Sequence, residues 1–557
     1  MLVTQRTGQA RQARWRLGLR WLWPGALRWL ACFGVIAVVL LVRNAYLFTT
    51  RVYEDSDFAA NTIAVLQAKH FQLLTGNYSR LGFYHPGPAF LYVEAWGEWL
   101  FHDVAHLVPT PWNGQLIAIL LLNSALLATA VSVFARDGGN VVAVGCVGTV
   151  LAFTVLHPLT LNSNWMPYVY FAPAVLLLVS AAAVAAGRTA SVPLLCFAAG
   201  LCVHGHAEFL FFAPIVVLTA LAGLFAPVWR NPWPLVRASG RHWLAGLAIT
   251  LVMALPFAVN TIVNWPGQLP KYLDYSTRAN GNLHHTAAVA VGYTLRFWWP
   301  GGPERGAHVP EELVAAVGGV LLALLVLWLV TGCRHPGQRR LLLWSLAMVA
   351  LMTVLFTYYA WRAIDEISAA YEGYFYWCAP LVLVLVGTAA LIPRVEQAAG
   401  RLPRGRFWRA GRPIVPLVIG LTTVAAVAAS MVPLRAEPDG PGQYFGDPAI
   451  PHDVAVLAAR DQGRPIVLDV SQAGWGDAEG VIVYADRIGL RACVSEQNWT
   501  TQFRAQSICT PAELRDGTAF AFIGSQQRYR PPGRPLFAML SSAVYPEART
   551  HPALVDG

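Results

Sequence analysis

The stretch RVYEDSDFAANTIAVLQAKHFQLLTGNYSRLGFYHPGPAFLYVEAWGEWLF, Arg51–Phe101, decides how the rest of the chain is interpreted. It follows an apolar run that ends near Phe48, and three acids, Glu54, Asp55 and Asp57, come within ten residues of that end. A carboxylate at the edge of a bilayer is costly unless it is hydrated, paired or functional. Such acids can bind a cation, pair with arginine or act as a base, and they also occur as helix caps. The acids alone leave these alternatives open.

The composition predicts an integral membrane protein. The 557 residues are 56% hydrophobic and only 13% charged, whereas soluble domains carry about a quarter charged residues. The net charge of +10 is almost entirely arginine, placed in short loops between apolar runs. That placement indicates membrane topology and argues against nucleic-acid binding.

Apolar runs of a length that suits membrane spans occur at 29–49, 114–135, 141–156, 168–186, 192–207, 209–227, 243–260, 311–332, 341–360, 374–393 and 413–433. This predicts about eleven transmembrane helices, the first of which is too long for the core of a cleaved signal peptide. Arginines fill the N-terminal tail and every second connection, which predicts a cytoplasmic N-terminus in a bacterial inner membrane. The loops 50–113, 157–167, 261–310 and 361–373 and the region after 434 are then extracytoplasmic.

The first outer loop, 50–113, has the pattern of two interfacial helices. Ser56–Leu74 has helix-like apolar spacing, Ala89–Phe101 is rich in aromatic residues, and Gly and Pro residues separate them. Aromatic rings of this kind are typical of the headgroup level of a membrane. The second long outer loop, 261–310, is polar, cationic and rich in Pro and Gly, and fits either a lid over a cavity or an ordinary connection.

The composition changes after the last apolar run, which predicts a membrane domain at 1–434 and a small extracytoplasmic α/β domain at 435–557. Residues 465–470, 491–494 and 519–524 are predicted strands, and 477–488 is a predicted helix. The region has no nucleotide-binding glycine motif and no nucleophile elbow, so a binding or packing role is expected. Cys493 and Cys509 can form a disulfide if this region is outside the membrane.

The order of elements in 30–135 resembles the N-terminal module of the GT-C membrane glycosyltransferases. An apolar helix, an acidic pair, an interfacial helix, a Gly-x-Tyr stretch, the element His85-Pro-Gly-Pro88 and an aromatic helix follow one another. The pattern is most similar to the branch of the protein mannosyltransferases and aminoarabinose transferases. That branch uses polyprenyl-phosphate sugars on the outer face and has an essential acid in the first loop. The resemblance points to Asp55 as that acid, with Glu54 and Asp57 in reserve; lysine usually precedes the prolines in the branch, so the role of His85 differs.

The resemblance implies an inverting transfer of a sugar to a glycan, lipid or protein of the cell envelope. A polyprenyl phosphate leaves already ionised, so one carboxylate base and cations near the phosphate are sufficient, without a cofactor. The candidate partners of the donor phosphate and sugar are Arg80, His85, Lys271, Arg278, His284, His285 and Arg362. Lys271, Arg278 and Arg362 are favoured as a group, and each candidate also fits an interfacial charge.

Two further clusters are candidates for the acceptor side or for the lining of a cavity. His204, His206 and Glu208 alternate between two apolar runs; a hydrogen-bonded lining fits them better than a metal site, because ligands two residues apart diverge on a helix. Tyr371 and Glu372 belong to an aromatic and acidic segment, 357–377, which suits either sugar stacking or an aromatic belt. The sequence requires no cofactor, and a divalent metal stays an open alternative that no pattern in it supports.

Two other classes of protein compete with a glycosyltransferase. A transporter or flippase of a lipid-linked precursor predicts charges deep within the spans and paired repeats. The sequence has few such charges and no evident repeat. A non-catalytic envelope assembly protein predicts that Asp55 can be lost without consequence.

Overall fold

A computed structural model describes residues 25–279, 285–299, 303, 309–364, 366–401, 414–434, 446–525, 527 and 531–546. The helices up to the last predicted span are α1 Gly25–Arg43, α2 Ser56–Lys69, α3 Ala89–Gly97, α4 Pro111–Leu156, α5 Met166–Val169, α6 Phe171–Ala185, α7 Val192–Gly205, α8 Phe209–Phe225, α9 Trp233–Ala238, α10 Gly240–Val263, α11 Leu269–Ala279, α12 Ala287–Arg296, α13 Val309–Thr331, α14 Pro336–Arg362, α15 Cys378–Arg401 and α16 Ile414–Ser430. The chain is therefore mainly helical, as the sequence predicts.

Eight helices of the described residues are long and apolar enough to cross a membrane: Gly25–Arg43, Pro111–Leu156, Met166–Ala185, Phe209–Val228, Gly240–Val263, Glu312–Thr331, Pro336–Arg362 and Ala370–Gln397. Two shorter apolar helices, Thr189–Gly205 and Pro416–Ser430, coincide with further predicted runs. The predicted membrane architecture is confirmed, while the exact number of spans and their orientation remain predictions.

Helix α4 contains two of the predicted runs. Its 46 residues would extend about 69 Å if straight, roughly twice the thickness of a bilayer core. Gly139 interrupts it with a φ of 76°, a conformation that glycine adopts without steric cost. Asn113, near its start, donates hydrogen bonds to the carbonyls of Leu47 and Thr50, and Asn162, just beyond its end, accepts one from Asn44. Both ends of α4 therefore lie beside the end of α1, so the chain doubles back at Gly139.

The two helices predicted in the first outer loop are present, and α2 is more buried than an interfacial helix. Residues 58–65 of α2 are all buried, between the membrane helices and the C-terminal domain. Helix α3 continues as a π-helical turn, Glu98–Val104, and exposes Trp96 and Trp99 while it buries Phe90. A short antiparallel hairpin, β1 Tyr78–Ser79 and β2 Phe83–Tyr84, lies between these helices.

The C-terminal region forms a five-stranded mixed sheet with helices. Its strands are β3 Ile466–Val470, β4 Ala492–Val494, β5 Thr518–Gly524, β6 Phe537–Ala538 and β7 Ser542–Pro546, and its helices are α17 Ile450–Asp461, α18 Trp475–Arg487, α19 Thr500–Phe503 and α20 Pro511–Asp516. The strand order is β4-β3-β5-β7-β6, with β3, β4 and β5 parallel and β7 antiparallel to its neighbours. The predicted strands and helix are present, and Cys493 and Cys509 are joined in a disulfide.

The C-terminal sheet domain packs directly on the first outer loop. Its core includes Ala59 and Ile63 of α2 together with residues of the sheet and of α18. Arg504 donates hydrogen bonds to Thr75 Oγ1 at 3.2 Å and to the carbonyl of Gly76 at 2.6 Å. Tyr84 donates to the carbonyl of Thr500 at 2.7 Å. The loop is thus enclosed between the membrane helices and this domain.

Candidate functional site

A cavity of about 320 Å³, lined by both polar and aromatic side chains, lies where the first outer loop, the membrane helices and the C-terminal domain meet. Its lining combines carboxylates, histidines, one arginine and several aromatic rings. The lining includes Asp57, Tyr78, Arg80, His85, Trp165, Tyr170, His206, Glu208, Tyr275, Tyr371, Glu372 and Trp475. Few polar groups converging among aromatic walls are typical of a binding site for a small polar molecule.

Asp57 is the acid of the first loop that faces the cavity. It lies in the first turn of α2. Its Oδ1 accepts a hydrogen bond from the Tyr78 hydroxyl, and its Oδ2 accepts one at 2.8 Å from Trp165 Nε1. Donors to both oxygens fix the orientation of the carboxylate and leave acceptor capacity on each oxygen.

The two preceding acids do not line this cavity in the described part of the chain. Asp55 is 1% exposed, and burial, together with the charges of Asp477, Asp447 and Glu54, raises its pKa to about 8. Glu54 is 3% exposed and lies 2.7 Å from Nη2 of Arg487 in α18. Both acids therefore belong to the contact with the C-terminal domain.

Arg80 brings positive charge to the rim of the cavity. It lies in the turn of the β1–β2 hairpin and forms ion pairs with Glu372 and, at 3.4 Å, with Glu366. Gly82 closes that turn with a φ of 85°, which glycine tolerates without strain. A planar guanidinium suits bidentate recognition of a phosphate as well as of a carboxylate.

His85, His206 and Glu208 also line the cavity. His85 is buried, its Nδ1 accepts a hydrogen bond from the backbone nitrogen of Ala207 at 3.0 Å, and its ring lies 4.7 Å from that of His206. Burial and the neighbouring His206 lower the pKa of His85 well below its usual range, so the ring is neutral. Burial raises the pKa of Glu208 to about 7, partly offset by a hydrogen bond from Tyr275.

Several of the predicted site residues lie elsewhere. Lys271 Nζ contacts the carbonyl of Gly82 at 2.8 Å, and Arg362 stacks on the ring of Trp361 at 4.0 Å. His285 contacts the carbonyl of Ile364 at 3.1 Å. None of these three belongs to the described lining of the cavity. His284 and the side chain of Arg278 lie outside the described residues.

His204 is not part of the described cavity lining but holds neighbouring helices together. Its Nδ1 accepts a hydrogen bond from the backbone nitrogen of Ala89 at 3.1 Å, and its Nε2 lies 2.7 Å from the carbonyl of Met253. These two bonds join the start of α3 to α7 and α10. Among the described residues, no group of three or more His, Cys, Asp or Glu side chains is arranged to hold a metal ion.

Five of the lining residues named above were not predicted from the sequence: Tyr78, Trp165, Tyr170, Tyr275 and Trp475. Tyr78 is part of the Gly-x-Tyr stretch, which was noted only as a pattern. Trp165 belongs to the short outer loop 157–167, and its proximity to Asp57 needs the folding back of α4. Trp475 lies more than 400 positions after Asp57, and no local pattern marks it.

The comparison with solved structures concerns the overall fold. The chain is similar to the crystal structure of ArnT from Cupriavidus metallidurans bound to undecaprenyl phosphate, with a TM-score of 0.57 and 14% identity over 93% of this chain and 97% of that chain. The apo state of ArnT from the same organism gives a TM-score of 0.53 and 15% identity, over 90% of this chain and 93% of that chain. The archaeal oligosaccharyltransferase AglB from Archaeoglobus fulgidus, in complex with an inhibitory peptide and a dolichol-phosphate, gives a TM-score of 0.35 and 11% identity, over 82% of this chain and 63% of that chain. This TM-score is too low to support a conclusion.

No family model matches the sequence, and no curated protein matches it. At these low identities the likeness to ArnT, an aminoarabinose transferase, shows the fold. The membrane fold expected from the sequence is therefore confirmed as ArnT-like over 93% of this chain.

Proposed function

We propose that this chain is a membrane glycosyltransferase that moves a sugar from a polyprenyl-phosphate carrier to an acceptor of the cell envelope on the extracytoplasmic face. The observation that carries the proposal is the position of Asp57, whose carboxylate is oriented by Tyr78 and Trp165 inside a cavity with polar and aromatic walls. The ArnT-like fold supports a lipid-linked donor, because the similar ArnT structure is bound to undecaprenyl phosphate.

The proposed base is Asp57 and not Asp55. A general base must reach the proton that it removes and must be ionised when it does so. Asp57 lines the cavity, whereas Asp55 is almost completely buried, and burial raises its pKa to about 8, so that it is mostly protonated at neutral pH. Asp55 and Glu54 are instead assigned to the contact with the C-terminal domain.

The reaction is a direct displacement at the anomeric carbon. Asp57 takes the proton of the acceptor hydroxyl while the acceptor oxygen forms a bond to the anomeric carbon. The bond from that carbon to the phosphate oxygen breaks, and its electron pair leaves with the polyprenyl phosphate. One displacement inverts the anomeric centre and requires no enzyme nucleophile.

Arg80 is the proposed partner of the departing phosphate. It is the residue with a permanent positive charge in the described cavity lining, and a cation placed where negative charge accumulates stabilises the transition state. In the structure its charge is balanced by Glu372 and Glu366. We expect the phosphate to compete with these carboxylates, which would return to Arg80 after the carrier leaves.

The test is sugar transfer by the purified full-length chain in liposomes that contain synthetic polyprenyl-phosphate sugars, with envelope lipids and glycans as acceptors. Asp57→Asn keeps the shape of the side chain and removes the base, and a loss of at least a hundredfold in kcat is expected. Asp55→Asn is the matched control, two residues away, and should retain transfer. Full activity of Asp57→Asn, or movement of the carrier across the bilayer without bond cleavage in the wild type, would overturn the proposal.

A further inference from the structure

We propose that helix α18 of the C-terminal domain is a positioning element of the active site and that it acts through Gly476. This inference rests on the proposed function of Asp57 and gives the C-terminal domain a specific task. The domain would hold the backbone that carries the base, in addition to covering the cavity.

Gly476 brings the backbone of α18 against Ser56. A Cβ atom at position 476 would lie 2.2 Å from Oγ, 3.0 Å from Cβ and 3.2 Å from Cα of Ser56. Rotation of the hydroxyl would relieve only the first of these contacts. An alanine at this position therefore requires a displacement of the Ser56 backbone or of α18.

A second glycine, one turn later, extends the contact. A Cβ at Gly480 would lie 3.0 Å from the carbonyl oxygen of Glu54 and 3.5 Å from Cα of Asp55. Gly476 and Gly480 are four positions apart and therefore lie on the same face of the helix. This face of α18 follows the loop backbone from residue 54 to residue 56.

Ser56 is a sensitive point for such a contact. Its φ of 46° places a non-glycine residue in the left-handed region, and such a conformation persists only where the surroundings hold it. Ser56 stands directly before Asp57 and begins α2, whose first backbone bonds run from Phe58 and Ala59 to the carbonyl of Asp55. A shift at Ser56 is therefore passed directly to the backbone of Asp57.

The same helix also reaches the base from the side of the cavity. Trp475, the first residue of α18, lines the cavity, and its ring stands edge-on to that of Tyr78, with 6.3 Å between the ring centroids. Tyr78 is the residue that donates a hydrogen bond to Asp57 Oδ1. Helix α18 thus contacts both the backbone before Asp57 and one of the two donors that orient its carboxylate.

The experiment compares Gly476→Ala with the double variant Gly476→Ala/Ser56→Gly in the full-length chain. Ser56→Gly removes the side chain that the new methyl group of Gly476→Ala would meet, and glycine adopts the positive φ without strain. Because reacting groups tolerate little displacement, Gly476→Ala should lower kcat about tenfold or more with a small change in KM. The double variant should recover to within about threefold of the wild type.

Gly318→Ala is the matched control, since a Cβ at this position in α13 would meet nothing within 4 Å, and it should leave kcat unchanged. Wild-type kcat in Gly476→Ala would overturn the inference, and so would a loss that Ser56→Gly does not relieve. If Gly476→Ala fails to fold, folding and activity should return together in the double variant, and their failure to return also overturns it. A wild-type chain without transfer activity would instead contradict the proposed function, so the two failures are distinguishable.

Discussion

Arg487, at the end of α18, forms a buried ion pair with Glu54 of the first outer loop, with 2.7 Å between Nη2 and Oε1. The same guanidinium lies 3.4 Å from Glu98, which in turn pairs with Lys69 at 2.8 Å. Negative and positive side chains thus alternate in the order Glu54, Arg487, Glu98 and Lys69. They link the C-terminal domain to the first loop, to the turn after α3 and to α2. Burial alone would raise the pKa of Glu98, but its partners, chiefly the charges of Arg487 and Lys69, lower it by more, so the pKa of this carboxyl lies below its usual value.

Arg487→Met is expected to destabilise the fold. It leaves Glu54 and Glu98 buried without their shared cation, and removing one partner of a buried ion pair typically costs about 3–5 kcal/mol. Thermal unfolding of the detergent-solubilised protein measures the effect. Arg491→Met is the control, because Arg491 pairs with Glu513 at the surface, where a pair contributes about 1 kcal/mol or less.

The addition of Glu54→Gln to Arg487→Met should restore part of the lost stability. The neutral amide no longer requires a cation, so the two substitutions should be less harmful together than the sum of their separate effects. Strict additivity would show that the ion pair does not couple the domain to the loop.

Asp55→Asn should stabilise the protein above neutral pH and flatten the dependence of stability on pH. The pKa of Asp55 is about 8 in the folded protein and about 3.9 in an unfolded chain. Between these values the folded protein binds a proton that the unfolded chain releases, so the free energy of unfolding falls as the pH rises. The effect is fully developed above about pH 8.

Thermal unfolding at pH 5 and pH 8.5 checks this expectation. The difference in melting temperature between these pH values should be smaller in Asp55→Asn than in the wild type. Asp486→Asn, at an exposed position of α18, should behave like the wild type. An equal pH dependence in wild type and Asp55→Asn would contradict the assignment.

Arg80→Gln should raise the KM for the polyprenyl-phosphate donor about tenfold and also lower kcat, because the phosphate charge grows as the bond breaks. Arg80→Lys should recover only part of the loss, since an ammonium lacks the planar fork of the guanidinium. Initial rates at varied donor concentration in liposomes provide both constants. Lys271→Gln is the comparison, because Lys271 contacts a backbone carbonyl of the same hairpin; a larger defect there than in Arg80→Gln would reverse the assignment.

Gly87→Ala should destabilise the junction of the first loop with α7. A Cβ at this position would lie 2.4 Å from Cγ of the His204 ring, and this ring is held by hydrogen bonds on both sides. A loss of about 1–3 kcal/mol is expected for an overpacked site. In a background of His204→Ala, which removes the ring, the same substitution should cost little; an equal cost in both backgrounds would exclude the clash as its cause.

Much of the architecture followed from local patterns. The lengths of the apolar runs anticipated the membrane helices, and Gly139 lies in the short connection predicted between the two runs that α4 contains. The β-branched and apolar run at 466–470 and the neighbouring helix at 475–487 were also recognisable. These features depend on residues close together in sequence, so composition and periodicity suffice to predict them.

The site was only partly predictable. Arg80, His85, His206, Glu208, Tyr371 and Glu372 were candidates, and the fold brings all of them to the cavity with Asp57. The sequence could not show which of Glu54, Asp55 and Asp57 faces the cavity, because neighbouring acids at the start of a helix differ mainly in the direction in which their side chains point. Lys271 and Arg362, favoured by charge, lie instead on a carbonyl and on a tryptophan ring.

The sequence by itself determined that this is a polytopic membrane protein, that acids and aromatic residues concentrate in the loop 50–113, and that strands and a helix follow the last apolar run. Only the tertiary structure decided which acid faces the cavity and what the α/β domain touches. The reason is physical: hydrophobic periodicity is set by neighbours along the chain, whereas the direction of the Asp57 side chain depends on Trp165 and on helix 475–487, which only folding brings to it.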